Sequence, residues 1–145
     1  VDNDPGHWSD IWKGGTIIGY YKGKEVARKT YSCDAHLDDL VVKIDDHELY
    51  NTVIDSTRVT ACFVDQEGNP LPYYNGVLTI ETSDNLEIVG PSTVAVVGGR
   101  IGFWVRTKPG CGEGTGTITV RALNTHIQEK VLIITLHEDP RVRCL

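Results

Sequence analysis

The sequence predicts an all-β protein, an immunoglobulin-like antiparallel β-sandwich with an extra N-terminal hairpin. Apolar residues alternate with polar ones over most of the chain, and a period of two is typical of half-buried strands. Turn residues separate these segments roughly every 8 to 12 residues, which is the spacing expected of a sandwich. No long stretch has helical spacing, because Gly, Thr and Val interrupt each candidate helix.

The first two predicted strands form the hairpin. Residues 16–21 and 24–30 flank the pair Lys22-Gly23. A connection of two residues that includes a glycine is typical of a tight hairpin between antiparallel strands. A short third strand is predicted at residues 40–44. In the next strand, residues 57–64, the side chains of Val59, Ala61 and Phe63 share one face, which we predict to be the core face.

A turn at residues 65–70 follows, because the Asp65 carboxylate can accept bonds from the amides after it. Further strands are predicted at residues 77–82, 86–89, 94–97, 100–107, 117–122 and 127–136. In the strand at 100–107, the inward set Ile101, Phe103 and Val105 leaves Trp104 on the outer face. The strand at 117–122 turns three side chains inward: Ile118, Val120 and Ala122.

The charge pattern argues against nucleic acid as a partner. The 145-residue chain has 20 Asp and Glu against 14 Lys and Arg, and residues 34–56 hold seven of the acids and one base. The other bases are scattered, so no basic stripe predicts nucleic acid as a partner.

No apolar run approaches the roughly 20 residues of a membrane-spanning helix, so we expect no membrane partner. The chain starts without Met or a leader pattern, so we expect a segment cut from a longer protein.

The four cysteines are widely spaced and include no CxxC pair: Cys33, Cys62, Cys111 and Cys144. They predict neither a zinc site nor a disulfide framework. We expect free thiols, which favours a reducing compartment, the bacterial cytoplasm, over secretion.

No local motif predicts a catalytic residue, a cofactor or a metal. The acids of residues 34–56 are mostly doublets, whose members point to opposite faces of a strand, so we expect a solvated loop. His47 is not part of an HExxH sequence, no serine lies in a GxSxG elbow, and Cys111 has no basic neighbour. The alternative for the acidic stretch is a Ca²⁺ site that uses Asp45, Asp46, Glu48 and Asp55.

Several segments together resemble a known domain. Residues 65–72 (DQEGNPLP), 76–80 (GVLTI), 98–107 (GGRIGFWVRT) and 116–122 (GTITVRA) resemble the C-terminal immunoglobulin-like domain of family 2 glycoside hydrolases, the bacterial β-galactosidases in particular. Residues 12–28 look like the last hairpin of the preceding sandwich domain in those enzymes. The resemblance implies three parts: residues 1–33 as that terminal hairpin, 34–137 as the immunoglobulin-like sandwich, and 138–145 as a C-terminal tail.

The resemblance also implies that this chain is not an enzyme by itself. In that family the catalytic acid and nucleophile are two glutamates on a separate barrel upstream, and no segment here matches their motifs. We therefore expect a non-catalytic accessory domain that supports the domain arrangement of a parent β-galactosidase, which hydrolyses terminal β-galactosides. One alternative is a carbohydrate-binding module of the same enzyme. The other is an invasin-like adhesion repeat, because such repeats have an Asp-turn-Gly-Asn-Pro pattern similar to residues 65–70 of this chain.

Large aromatic residues are the candidates for contact with a partner, because exposed rings mark interfaces and sugar sites. The candidates are Trp104, Tyr73, Tyr74, Trp8 and Trp12. The other domains of the parent enzyme are the favoured partner and carbohydrate is the alternative. A homo-oligomer formed through an open sheet edge is left as a further alternative.

Overall fold

Alternating apolar side chains give eleven strands in the part of the chain that the structure describes, residues 14–138 of a computed structural model. The strands are β1 Gly15–Tyr21, β2 Lys24–Tyr31, β3 Asp39–Ile44, β4 Glu48–Tyr50, β5 Ser56–Val64, β6 Gly76–Thr82, β7 Leu86–Val89, β8 Thr93–Val96, β9 Arg100–Thr107, β10 Gly114–Ala122 and β11 Lys130–His137. The described residues form no helix, and so none that could cross a membrane. The predicted all-β class is confirmed.

Strands β1 and β2 form a two-stranded sheet of their own. Lys22 and Gly23 connect them with φ angles of 49° and 76°, as a type I′ turn requires. The pairing passes from Gly19 opposite Ala27 to Tyr20 opposite Glu25, so Val26 is an extra, bulged residue. The predicted hairpin is therefore present and carries a bulge that the sequence pattern did not show.

Nine strands form the sandwich. One sheet has the order β3-β5-β9-β7 and the other has the order β4-β11-β10-β6-β8. Their facing sides bury the core, which includes the predicted inward residues of β5, β9 and β10. The most completely buried large side chains are Phe63, Leu40, Leu49, Leu78, Ile80, Leu86, Ile118, Ile134, Leu136, Val59, Val96 and Val105. Burial of apolar surface between the two layers stabilises this part of the chain.

The presence of β4 and the first residues of β10 and β11 differ from the sequence prediction, and β10 begins at Gly114 rather than at residue 117. Strand β4 was not predicted, and it pairs parallel to β11, whereas all the other strand pairs in the described residues are antiparallel. This strand has three residues, of which only Leu49 is buried, so it is too short to show a period. Strand β11 begins at Lys130 rather than at residue 127, because Thr125 caps a turn in which its hydroxyl accepts a bond from the Ile127 amide at 3.2 Å.

The turn predicted at residues 65–70 is confirmed. One Asp65 carboxylate oxygen accepts bonds from the amides of Glu67 and Asn69, each at 2.9 Å. Asn69 in turn donates a side-chain bond of 2.6 Å to the carbonyl of Thr30, the penultimate residue of β2. The same turn therefore joins β5 to β6 and attaches the hairpin to the sandwich.

Gly99 fixes the chain between β8 and β9 against the segment that follows this turn. Its amide donates to the Tyr74 carbonyl at 2.7 Å, and its own carbonyl accepts from the Phe63 amide at 2.8 Å. Its φ is +77°, and a Cβ at this position would overlap the carbonyl oxygen of Leu71. Only glycine satisfies both conditions.

Candidate functional site

Trp104 lies at the centre of the outer face of the sheet β3-β5-β9-β7. Because Phe103 and Val105 on either side of it are buried, the alternation of β9 turns the indole outward, as predicted. Its side chain is 51% exposed. In the register of the sheet it stands between Arg58 of β5 and Val89 of β7.

Two ion pairs flank Trp104. The Arg58 guanidinium lies 3.0 Å from the Asp45 carboxylate, and the Arg106 guanidinium lies 2.5 Å from the Glu87 carboxylate. Each pair is partly exposed, and such pairs contribute little to stability. Their effect here is to hold the two arginine side chains beside the ring.

A groove of about 270 Å³ lies on the same outer face, toward the start of β9. Its walls are Val41, Lys43, Thr60, Cys62, Val64, Gly68, Pro70 and Arg100. Arg100 approaches the Cys62 sulfur at 3.9 Å. Within residues 14–138 neither Lys43 nor Arg100 forms an ion pair. The groove therefore presents two cationic groups that no carboxylate of the described chain neutralises.

Gly102 leaves the surface open between this groove and Trp104. It lies two residues from both Arg100 and Trp104 on β9 and pairs with Thr60 of β5. A Cβ placed there would have the Thr60 methyl carbon at 3.9 Å as its nearest side-chain neighbour. Flat backbone and a threonine side chain thus connect the groove to the indole.

The two neighbouring tyrosines have different environments. Tyr73 is 94% exposed, whereas the Tyr74 ring packs on Phe63 with 4.6 Å between ring centroids. A second groove of about 460 Å³ runs past both rings, lined also by Ala35, His36, Leu37, Asp65, Pro70, Leu71 and Pro72. Tyr74 thus packs at the edge of the core, and Tyr73 is the tyrosine of this pair that is available to contact a partner. Trp8 and Trp12 lie outside the described residues.

The acidic stretch has structural partners. Asp45 is paired with Arg58, the Asp55 carboxylate accepts bonds from the amides of Tyr50 and Ser56 at 3.0 and 2.9 Å, and Glu48 lies 3.7 Å from the His137 ring. Across residues 14–138, no three His, Cys, Asp or Glu side chains are grouped so that they could hold a metal ion. The Ca²⁺ alternative therefore has no assembled ligand set in this range. The described cysteines, Cys33, Cys62 and Cys111, are free thiols.

One carboxylate joins the two sheets. Asp39 of β3 lies 2.8 Å from the Lys130 ammonium of β11, and this ammonium lowers the pKa of the Asp39 carboxyl. On the outer face of the other sheet, Arg121 contacts Glu129 and Glu81, and the Glu129 contact raises the pKa of the Arg121 guanidinium. Both clusters stabilise charges on the surface. Arg121 lies on the other sheet from Trp104, and Asp39, in the same sheet as Trp104, pairs with Val64 at the opposite end of β5 from Arg58, the partner of Trp104.

Two curated relatives of the chain are β-galactosidases. No protein-family model matches the chain. A β-galactosidase of Rhizobium radiobacter is 31% identical over 123 residues, which are 85% of this chain and 89% of that protein. A β-galactosidase of Thermoanaerobacterium thermosulfurigenes is 37% identical over 94 residues, which are 65% of this chain but 13% of that protein. The chain thus spans about an eighth of that second relative.

Solved structures share the fold. A β-glycosidase from Bacteroides vulgatus matches 86% of this chain with a TM-score of 0.68 and 22% identity, over 18% of its own length. A family 2 glycosyl hydrolase from Bacteroides cellulosilyticus matches 85% of this chain with a TM-score of 0.67 and 16% identity, over 17% of its own length. In both comparisons the chain corresponds to one part of a much longer protein.

Proposed function

Because the chain belongs to the β-galactosidases of glycoside hydrolase family 2, we propose that it is a non-catalytic accessory domain that supports the domain arrangement of such an enzyme. The parent enzyme would hydrolyse terminal β-galactosides with groups located outside this chain. The other domains of that enzyme would then be the partners of this chain.

The exposed hairpin carries this proposal. Ile17, Tyr20, Tyr21 and Val26 are each 65–66% exposed, and most residues of β1 and β2 are exposed on both faces. An isolated two-stranded ribbon is at best marginally stable in water. Large apolar side chains on such a ribbon favour a neighbour that covers them. In the parent enzyme the preceding domain would supply that neighbour, with residues 1–33 as its last hairpin.

The hairpin is also held in place on the sandwich side. Besides the bond from Asn69 to β2, the Gln66 side-chain amide donates to the Ser32 hydroxyl at 2.9 Å and accepts from the His36 amide at 3.2 Å. These bonds span the connection between the hairpin and β3. A link that is anchored at both ends can set the angle between two domains, which is the task of an accessory domain.

The interior of the sandwich supports a role without catalysis. Glycoside hydrolysis generally uses two carboxyl groups about 5 to 9.5 Å apart around the scissile bond. Here the space between the sheets is filled by apolar side chains, and the buried carboxylate of Asp65 is occupied by the amides of its own turn. The two grooves beside Arg100 and beside Tyr73 lie on the outer surface, and each has at most one carboxylate in its wall.

Two measurements test the proposal. The chain of residues 1–145 should not hydrolyse a chromogenic β-galactoside, and turnover above that of a heat-denatured sample would refute the accessory role. In the enzyme that carries this chain, Ile17→Ser with Val26→Ser should lower the melting temperature or release the domain to proteolysis. The matched control is Val131→Ser with Ile133→Ser on the outer face of β11, where the same two residue types are 52% and 59% exposed. Equal effects of the two double variants would contradict the assignment of the hairpin as the docking element.

The relatives bear on the alternatives. The reported sequence relatives are named β-galactosidases, which favours an origin in a hydrolase over an adhesion repeat. Carbohydrate binding is the second candidate function, and the specific observation in its favour is the exposed Trp104 beside the bare backbone of Gly102.

A further inference from the structure

We propose that the outer face of β3, β5 and β9 binds an acidic oligosaccharide, with a uronate carboxylate between Lys43 and Arg100 and an adjoining sugar ring on Trp104. This site is separate from the hairpin and does not depend on the accessory role. Its ligand class follows from three properties of the face: its charge, the open surface at Gly102 and its length.

The charge of this face is opposite to that of the whole protein. Lys43, Arg58, Arg100 and Arg106 lie on it, against the three carboxylates of Asp39, Asp45 and Glu87, of which Asp39 is paired with Lys130 of the other sheet, whereas the chain has a net charge of −6. Arg58 and Arg106 are held by Asp45 and Glu87, so Lys43 and Arg100 are the cations left for a ligand. A guanidinium presents a planar fork of donors that fits a carboxylate, and both groups line one groove of about 270 Å³.

The surface formed by Trp104, Gly102 and Thr60 is suited to bind a flat sugar ring. The half-exposed indole of Trp104 can cover the apolar side of a pyranose, and the outward positions next to it toward the groove are Gly102 on β9 and Thr60 on β5. The Thr60 hydroxyl and the guanidinium of Arg58 border the same area and can bond sugar hydroxyls. A side chain larger than hydrogen at residue 102 would stand in this path.

The length of the face separates a sugar chain from a single sugar. From Arg100 to Trp104 the strand rises four residues, or about 13 Å at the usual spacing of a strand. A ligand that meets both the cations and the indole must therefore span more than one ring. The turn at Gly68 and Pro70 bounds the other end of the groove and leaves the Trp104 end open for extension.

The apolar surface of a neighbouring domain is a less suitable occupant of this face. Covering Lys43 and Arg100 with such a surface would remove two unpaired charges from water, and an unpaired buried charge costs several kcal/mol. A sugar that brings its own carboxylate pairs these charges and leaves their other donors hydrated. The apolar hairpin, which has no such cost, is the better surface for domain docking.

The test is titration of the chain of residues 1–145 with digalacturonic acid and, in parallel, with a neutral digalactoside. The readout is the Trp104 indole N–H resonance in ¹H–¹⁵N spectra, assigned by its absence in Trp104→Ala. We expect saturable shifts with the acidic sugar and at least about tenfold weaker binding of the neutral one, since a charge-assisted bond contributes more than a neutral one. The double variant Lys43→Gln with Arg100→Gln should lose about tenfold in affinity for the acidic sugar.

Arg121→Gln is the matched control, because it removes one cation from the outer face of the other sheet. It should leave the affinity unchanged, and Gly102→Leu should abolish binding while the spectrum stays that of a folded protein. Absence of binding, equal affinity for the acidic and the neutral sugar, or an equal loss in the Arg121 variant would each overturn the proposal. None of these results would alter the hydrolysis and docking tests of the accessory role, which can fail independently.

Discussion

Replacing Gly99 by alanine tests how much the close packing of the Gly99 backbone on Leu71 contributes to the stability of the sandwich. In Gly99→Ala the new Cβ would lie 2.9 Å from the Leu71 carbonyl carbon and overlap its oxygen, at a φ of +77°. Gly98→Ala is the matched control, because its φ is +73° but its Cβ would meet only the Pro72 carbonyl oxygen at 3.5 Å. The two variants share the cost of a left-handed backbone and differ in the overlap.

The expected magnitudes follow from these two terms. A left-handed backbone costs a residue with a Cβ about 1–2 kcal/mol, which should be the whole effect of Gly98→Ala. Forcing the Leu71 backbone away adds about 1–3 kcal/mol in Gly99→Ala, as overpacking commonly does. That shift also strains the 2.7 and 2.8 Å bonds between Gly99 and the residues Tyr74 and Phe63. We therefore expect Gly99→Ala to lose about 2–5 kcal/mol of unfolding free energy in total.

Urea denaturation followed by far-ultraviolet circular dichroism measures both values. The slope of the free energy against urea concentration should be the same in the two variants, so that the midpoints compare directly. Equal midpoints for Gly98→Ala and Gly99→Ala would refute the reasoning, because they would show that the overlap with Leu71 costs nothing. A midpoint of Gly98→Ala below that of Gly99→Ala would refute it more strongly.

Three further predictions follow from contacts in the sandwich. Tyr74→Ala should lower the unfolding free energy by about 2 kcal/mol because the ring packs on the core, whereas Tyr73→Ala should change it by less than about 0.5 kcal/mol; equal losses in urea would contradict these placements. Asn51→Ala should cost about 1–3 kcal/mol in the same assay, since the fully buried amide donates to a carbonyl of the loop between β9 and β10, and an unchanged midpoint would count against this bond. Asp39 has a lowered pKa beside Lys130, so its contribution is complete above its ordinary pKa and is lost as the pH falls through the lowered value. Asp39→Asn should thus cost about 0.5 kcal/mol at pH 7 and low salt, and this cost should shrink as the pH falls below the ordinary range of an Asp carboxyl, measured by melting temperature; a loss that grows toward acid pH would have the wrong sign.

Much of the fold could be predicted because strand faces are a local property. The period of two in β5, β9 and β10 placed their inward side chains correctly, and the outward position of Trp104 followed from the same alternation. The hairpin turn at Lys22 and Gly23 was also readable, since two alternating segments are joined there by only two residues and the second is a glycine, which accepts a positive φ. The bulge at Val26 was not, because one inserted residue changes the pairing partner without leaving a pattern in the strand itself.

The candidate site was only partly predictable. An exposed tryptophan could be named, but not its surroundings, since Lys43 and Arg100 are far apart in the chain and line one groove only because β3 and β9 both pair with β5. Tyr73 and Tyr74 are adjacent in an irregular connection, where no alternation indicates which ring turns inward. A cation two residues before a glycine and four before an outward tryptophan on one strand is the signal that could have pointed to this face.

The sequence by itself determined which side of each strand is apolar, and therefore that two layers must pack, because the alternation of side chains along a strand needs no information from elsewhere. Only the tertiary structure decided which strands are neighbours: the parallel pairing of β4 with β11, the convergence of Lys43, Thr60 and Arg100 on one groove, and the solvent exposure of the hairpin. Pairing depends on hydrogen bonds between segments that are distant in the chain, and a local pattern that tells a strand which face to bury does not tell it which strand to join.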